Sequence, residues 1–218
     1  MQKNQIMANS TANYPATLVV DYPDRKLNRL TSFFRLFVVL PIWLIVGLMN
    51  GAIYSWGVHL PLWRADLSAA GILFIPLVLL ILFRKKYPKW WFDWNLAFTK
   101  FTNRLAAYIL LMRDEYPSTD EEQAVHLSLL YPDAQTQLGR GMPLIKWFLA
   151  IPHYFILSFL FVAVIVLSII SWFVILFTGR YPRGCFDFTL GVMRWWLRVW
   201  AYSVLLITDK YPVFSLDA

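Results

Sequence analysis

Residues 147–179 read WFLAIPHYFILSFLFVAVIVLSIISWFVILFTG. These 33 residues contain no Asp, Glu, Lys or Arg, and how they fold decides the architecture. As one straight helix they reach about 50 Å, at 1.5 Å per residue. A hydrocarbon core is about 30 Å thick and tilts rarely exceed about 40°, so a single straight span fits poorly. Two remedies are open. Pro152 breaks the helix into an interfacial piece at 142–151 and a span at 153–177, or the run folds back as a hairpin dipping into the membrane. Arg140 and Lys146 precede the run, and Arg180 and Arg183 follow it. Basic residues at both ends favour both ends being cytoplasmic, and so the hairpin.

The rest of the chain has the same character. Of 218 residues 59% are apolar and only 15% charged, against roughly 45–50% and 25% in ordinary globular chains. There are 11 Trp, 11 Tyr and 17 Phe, and the mean hydropathy is +0.52. A soluble domain of this size buries only about 70% of its unfolded surface and cannot hide so many large apolar side chains. A soluble enzyme, a disordered chain and a disulfide scaffold are excluded; Cys185 is the single cysteine and has no internal partner. The net charge is +7. Its cations flank apolar runs (Arg25, Lys26, Arg29; Arg84–Lys86, Lys89; Arg140; Arg180, Arg183). That distribution suits anionic lipid headgroups and not nucleic acid. Residues 1–15 are polar with no hydrophobic signal run, and are expected to form a disordered tail.

Motifs recur. Tyr22-Pro23-Asp24 returns as Tyr131-Pro132-Asp133, Arg29 as Arg140, Arg35 as Lys146 and Pro41 as Pro152. LFRKKYP (82–88) matches LFTGRYP (176–182), Phe92-Asp93-Trp94 matches Phe186-Asp187-Phe188, and Tyr116-Pro117 matches Tyr211-Pro212. The chain thus reads as two tandem repeats, 16–117 and 125–213, joined by an acidic connector at 118–124. Each repeat opens on a short β-type run, Thr17–Asp21 or His126–Leu130, that a Tyr-Pro ends. The two runs are expected to pair into a small sheet outside the membrane. In repeat 1, apolar helices are expected at about 33–54 and 67–83, with the 55–66 loop between them carrying Trp56 and Trp63 as interfacial anchors. An amphipathic helix follows at about 91–112. Repeat 2 has its apolar segment at about 143–177 and its amphipathic helix at about 185–207. The fold class is all-α integral membrane, each repeat a helical hairpin or kinked span followed by an aromatic, basic amphipathic helix.

The stretch LFTGRYPRGCFDFTLGVMRWWLRVWAY…LLITDKYPVFSL (176–216), with Pro152-His153 inside the long apolar run, resembles the bacterial domain-of-unknown-function family numbered 4389. The resemblance is strong over 125–216 and weaker over 16–117. Repeat 1 departs from it by about 17 extra residues between Pro41 and Tyr87, and by Arg84-Lys85-Lys86 in place of Thr178-Gly179-Arg180. The resemblance implies a bacterial membrane protein, placed here in the inner membrane, and brings no activity or catalytic residue.

One constellation stands out. Asp93, Lys100, Arg104 and Tyr108 in repeat 1, and Asp187, Arg194, Arg198 and Tyr202 in repeat 2, share the spacing seven, four, four. At about 100° per residue each set falls within roughly 60° of one helix face. This charged stripe is a candidate lipid- or partner-binding surface: it faces water and phosphate on an interfacial helix, or its carboxylate pairs with its cations inside. His59, His126 and His153 have no metal-ligand spacing. His153 is expected at the interface or on a carbonyl freed by Pro152. Asp114/Glu115 and Asp209/Lys210 read as helix-end and turn residues. No catalytic motif, cofactor fingerprint, metal site or small-molecule substrate is indicated.

The expectation is therefore a non-catalytic, multi-pass inner-membrane protein with both termini cytoplasmic. It is read as an accessory or scaffold subunit of a larger membrane complex, in contact with lipids and other membrane subunits. Lipid handling or membrane shaping is the alternative; a small transporter or channel component comes next, with few polar residues to line a path.

Overall fold

Apolar side chains at alternate positions of ATLVV and VHLSL suit a chain with one dry and one wet face. A computed structural model describes residues 14–23, 27–49, 75–119 and 121–217. In it these runs form β1 (Ala16–Val20) and β2 (Val125–Leu129), antiparallel, with Leu18 opposite Leu127 and Val19 opposite His126. Ala16, Leu18, Val20, Val125, Leu127 and Leu129 are buried. Thr17 and Ser128 share a hydrogen bond of 2.8 Å on the outer face. The expected pairing is observed, one residue earlier in each strand, within the usual blur of element ends. A two-stranded sheet is marginal alone; here its buried face lies on two helices, β1 against the C-terminal amphipathic helix and β2 against the earlier one.

Those helices are α3 (Lys89–Ile109) and α5 (Arg183–Ser203). Each starts directly after a Tyr-Pro, with extended Pro88 or Pro182 as the residue before the first turn. Both end earlier than expected, because the chain turns into the left-handed region at Leu111 (φ 64°) and Leu206 (φ 56°). That conformation costs a leucine about 1–2 kcal/mol; burial of both side chains offsets it. The preceding α1 (Arg29–Met49) contains Pro41, and α2 (Ile75–Arg84) ends in a wider π turn at Leu80–Arg84, closed by left-handed Lys85. The 1–13 tail, the 55–66 loop with Trp56 and Trp63, and the first part of the 67–83 helix lie outside the described residues.

The 147–179 run resolves as part of one helix, α4 (Met142–Thr178), 37 residues long. The hairpin reading of this segment is therefore corrected. A reversal needs a turn residue, and 153–178 contains no Gly, Pro, Asn or Asp. Pro152 lies inside the helix without ending it, on the exposed side. Left-handed Gly179 (φ 70°) ends it. α4 is long and apolar enough to cross a membrane. It buries a narrow seam, including Lys146, Ala150, His153, Leu157, Val164 and Ile175, spaced as in a coiled coil. α5 packs antiparallel on that seam: Trp147 Nε1 donates to the Ser203 carbonyl (2.9 Å) and Trp195 Nε1 to His153 Nδ1 (3.1 Å). The first turn of α1 meets the far end of α4, where Trp172 Nε1 donates to the Ser32 carbonyl (3.1 Å). The order of layers is sheet, then α3 and α5, then α1 and α4.

Candidate functional site

The stripe residues separate on folding. Asp93 and Asp187 stay exposed, and among the described residues no ion pair joins either to a cation. The arginines turn inward onto main-chain carbonyls. Arg104 Nη1 donates to Ser118 (2.7 Å), Arg198 to Asp217 (2.9 Å) and Ser215, and Arg194 Nε to Leu18 of β1 (2.9 Å). Lys100 is half-buried. Burial pulls Arg194 and Arg198 below the usual arginine value, and guanidinium remains charged there. The cations of α5 thus fasten β1 and the C-terminal tail to the helix, and only the aspartates face outward.

Tyr108 and Tyr202 lead to a junction that the sequence reading passed over. Arg35 pairs with Asp114 and stands 4.5 Å from the centre of the Tyr108 ring. Lys146 pairs with Asp209 at 2.7 Å and stands 5.2 Å from the Tyr202 ring. Each aspartate also takes a backbone N–H just before the apolar segment, Asn28 N on Asp114 (2.8 Å) and Gly139 N on Asp209 (2.6 Å). Tyr108 meets Tyr116 edge-on at 5.9 Å, and Tyr202 meets Tyr211 at 5.8 Å. The cations are deeply buried, Arg35 at 3% and Lys146 at 0% exposure. Their signal in the sequence was the paired recurrence of Arg35 with Lys146. The aspartates read as turn residues because a salt bridge across 79 or 63 positions has no local pattern.

A second pair of similar hydrogen bonds ties distant segments. Tyr22 OH donates to the Tyr181 carbonyl, and Tyr131 OH to the Tyr87 carbonyl (2.6 Å). His153 departs from expectation: it is fully buried, accepts from Trp195 and stacks on Phe214 at 3.9 Å. Among the described residues no three His, Cys, Asp or Glu side chains gather as a metal site. The geometry holds segments together.

Burial raises the phenols of Tyr14, Tyr87, Tyr108, Tyr181 and Tyr202. A group with a raised folded pKa contributes stability that is complete below its unfolded value, about 10 for tyrosine, and is lost as pH climbs through the folded value. Tertiary packing is expected to hold from neutral pH to about 10 and to fail above it. Near-UV circular dichroism in detergent reads this directly, and a signal unchanged to pH 12 contradicts it.

Residues 142–215, about a third of the chain, match a family model described as a domain of unknown function (DUF4389). The match covers α4, α5 and the last Tyr-Pro, the part whose motifs carry the resemblance, and gives no activity. No curated protein and no solved structure matches the chain.

Proposed function

We propose that this is a non-catalytic integral membrane protein of the bacterial inner membrane, acting as an accessory or scaffold subunit of a larger membrane assembly. The observation that carries the reading is the outer face of α4. Phe148, Phe155, Phe159, Val162, Ile169 and Phe177 are among its exposed side chains. Such a face is far larger than the few hundred Å² that soluble monomers leave open, and lipid hydrocarbon or another apolar helix covers it.

The layer order guides the orientation. The sheet lies on α5 along most of its length, from Tyr22 at Tyr181 to Tyr14 at the Arg198 carbonyl. An open sheet edge does not survive in hydrocarbon. In our reading α4 therefore lies along one leaflet, apolar face inward, with α3, α5 and the sheet on the water side. Arg140 and Arg180 at its two ends then both meet cytoplasmic headgroups, as the shared cytoplasmic side of both termini requires. Multi-pass insertion is left to the apolar runs at about 33–54 and 67–83. Spin labels at 148, 155, 162, 169 and 177 are expected to report one shallow depth. A depth profile that peaks mid-helix makes α4 a transmembrane span and overturns this orientation.

Two tandem copies of one unit are part of the proposal. The duplicated ion pairs, capped backbone N–H groups and Tyr–carbonyl bonds support it. Tyr22→Phe and Tyr131→Phe each remove one such bond and are expected to cost about 1 kcal/mol, equally in both halves; clearly unequal losses in unfolding measurements argue against equivalent units. The subunit role is tested by gentle solubilisation from native membranes. Constant co-purifying membrane proteins are expected, and a chain that always runs alone sinks it. Membrane shaping is the second reading, favoured by a helix seated in one leaflet; it predicts altered vesicle curvature with the purified protein alone.

A further inference from the structure

A cavity of about 420 Å³ opens between the first turns of α1, the Ile109–Leu111 turn that ends α3, and residues 165–173 of α4. That volume lies in the range of small-molecule sites, roughly 300–1,000 Å³. Its walls are hydrocarbon and aromatic: Ile109, Leu110, Ile165, Ile169, Trp172 and Phe173. Three polar side chains line it as well, Ser32, Arg35 and Ser168. Ser32 and Arg35 are 1% and 3% exposed. Ser32 Oγ and Arg35 Nε are buried without a hydrogen-bond partner, an arrangement that native proteins rarely leave unexplained, while Ser168 is engaged by the Tyr181 hydroxyl.

The charge state of the site selects the ligand. Arg35 is already neutralised by Asp114, and its Nη1 donates to the carbonyls of Tyr108 (2.9 Å) and Arg113 (3.1 Å). Of its five N–H donors three are used, the Nε–H is left without a partner, and it has no net charge to offer. An anion entering here loses its hydration with no free cation to meet it. A neutral acceptor on an apolar body suits the site: it satisfies the donors and fills the walls. We propose that this groove holds one acyl chain of a membrane glycerophospholipid, with the ester oxygens accepting from Ser32 Oγ and Arg35 Nε. The proposal rests on the membrane reading above and names a ligand for it.

The test uses the full chain in vesicles of phosphatidylethanolamine and phosphatidylglycerol, doped with a phospholipid carrying a photoactivatable diazirine in its acyl chain. Cross-linked positions are mapped by peptide mass spectrometry. Labelling is expected to concentrate on 165–173 and 109–111 over the exposed stretch 155–159, which samples bulk lipid. Ser32→Ala removes one hydrogen bond and is expected to weaken groove labelling about fivefold. An ether-linked analogue without ester carbonyls tests the same bond on the unaltered chain, so the result does not hang on a variant's folding. Groove labelling no greater than at 155–159, equal labelling by ester and ether lipids, or preferential capture of a diazirine fatty acid each overturns the proposal. Vesicle flotation separates the two levels. A chain that fails to float ends the membrane reading itself; one that floats without groove enrichment ends only the lipid site.

Discussion

Asp209→Ala is expected to destabilise the protein by about 3–5 kcal/mol, the cost of stranding one member of a buried ion pair. Lys146 is fully buried, and its ammonium has two recorded partners, the Asp209 carboxylate at 2.7 Å and the Thr208 carbonyl at 2.8 Å. Removing the carboxylate leaves the charge with one carbonyl and also frees the Gly139 N–H that Asp209 accepts at 2.6 Å. The double variant Lys146→Met, Asp209→Asn removes both charges and can keep the Gly139 acceptor. It is expected to recover most of the loss, since an apolar replacement of a buried pair is often neutral. Asp114→Ala, which strands Arg35, is expected to behave alike. Unfolding in mild detergent measures all three variants, and a midpoint unmoved by Asp209→Ala shows that the lysine finds water or another partner.

Gly191→Ala is the second large effect. A Cβ at Gly191 stands 2.8 Å from both the Cβ and the carbonyl oxygen of Leu216. The obstacle includes main chain, so the C-terminal tail itself must move. That tail supplies the Ser215 and Asp217 carbonyls that hold buried Arg198, and Phe214 that stacks on His153. Overpacking costs about 1–3 kcal/mol, and loosening charge-assisted hydrogen bonds adds about 1.5–3 kcal/mol, so a loss of about 3 kcal/mol is expected with early proteolysis of residues 211–217. Gly184→Ala in the first turn of the same helix is the control. No atom lies within 4 Å of its new Cβ, and reduced chain entropy is expected to make it neutral or stabilising by up to about 1 kcal/mol. Equal behaviour of the two alanine variants means the tail is not clamped.

The sites divide by the range of the forces that make them. The stripe at 93–108 and 187–202 was legible because helix spacing is local. Its role was not, because the acceptors for Arg194 and Arg198 come from β1, 176 positions away, and from the tail. The sequence reading turned these cations toward phosphate or toward their own aspartate; in the fold they meet carbonyls, since a buried guanidinium must find acceptors and peptide oxygens are the nearest. The groove was invisible for the same reason. Ser32, Leu110 and Ser168 are unremarkable each in its own segment, and only packing brings them to one cavity.

The sequence by itself determined the strongly apolar composition, two amphipathic helices following a Tyr-Pro, and strands at 17–21 and 126–130, each within one residue of those observed, because composition, periodicity and proline act within a few residues. It also carried the recurring positions, though not what those positions bond. The tertiary structure decided that residues 142–178 form one helix, that α5 returns along it, and that β1 lies on α5 and β2 on α3. Those outcomes depend on which buried faces and charged groups satisfy one another across the chain. An uninterrupted apolar run can be a span, a hairpin or a helix lying on a scaffold, and only the partners that cover its narrow buried seam choose among them.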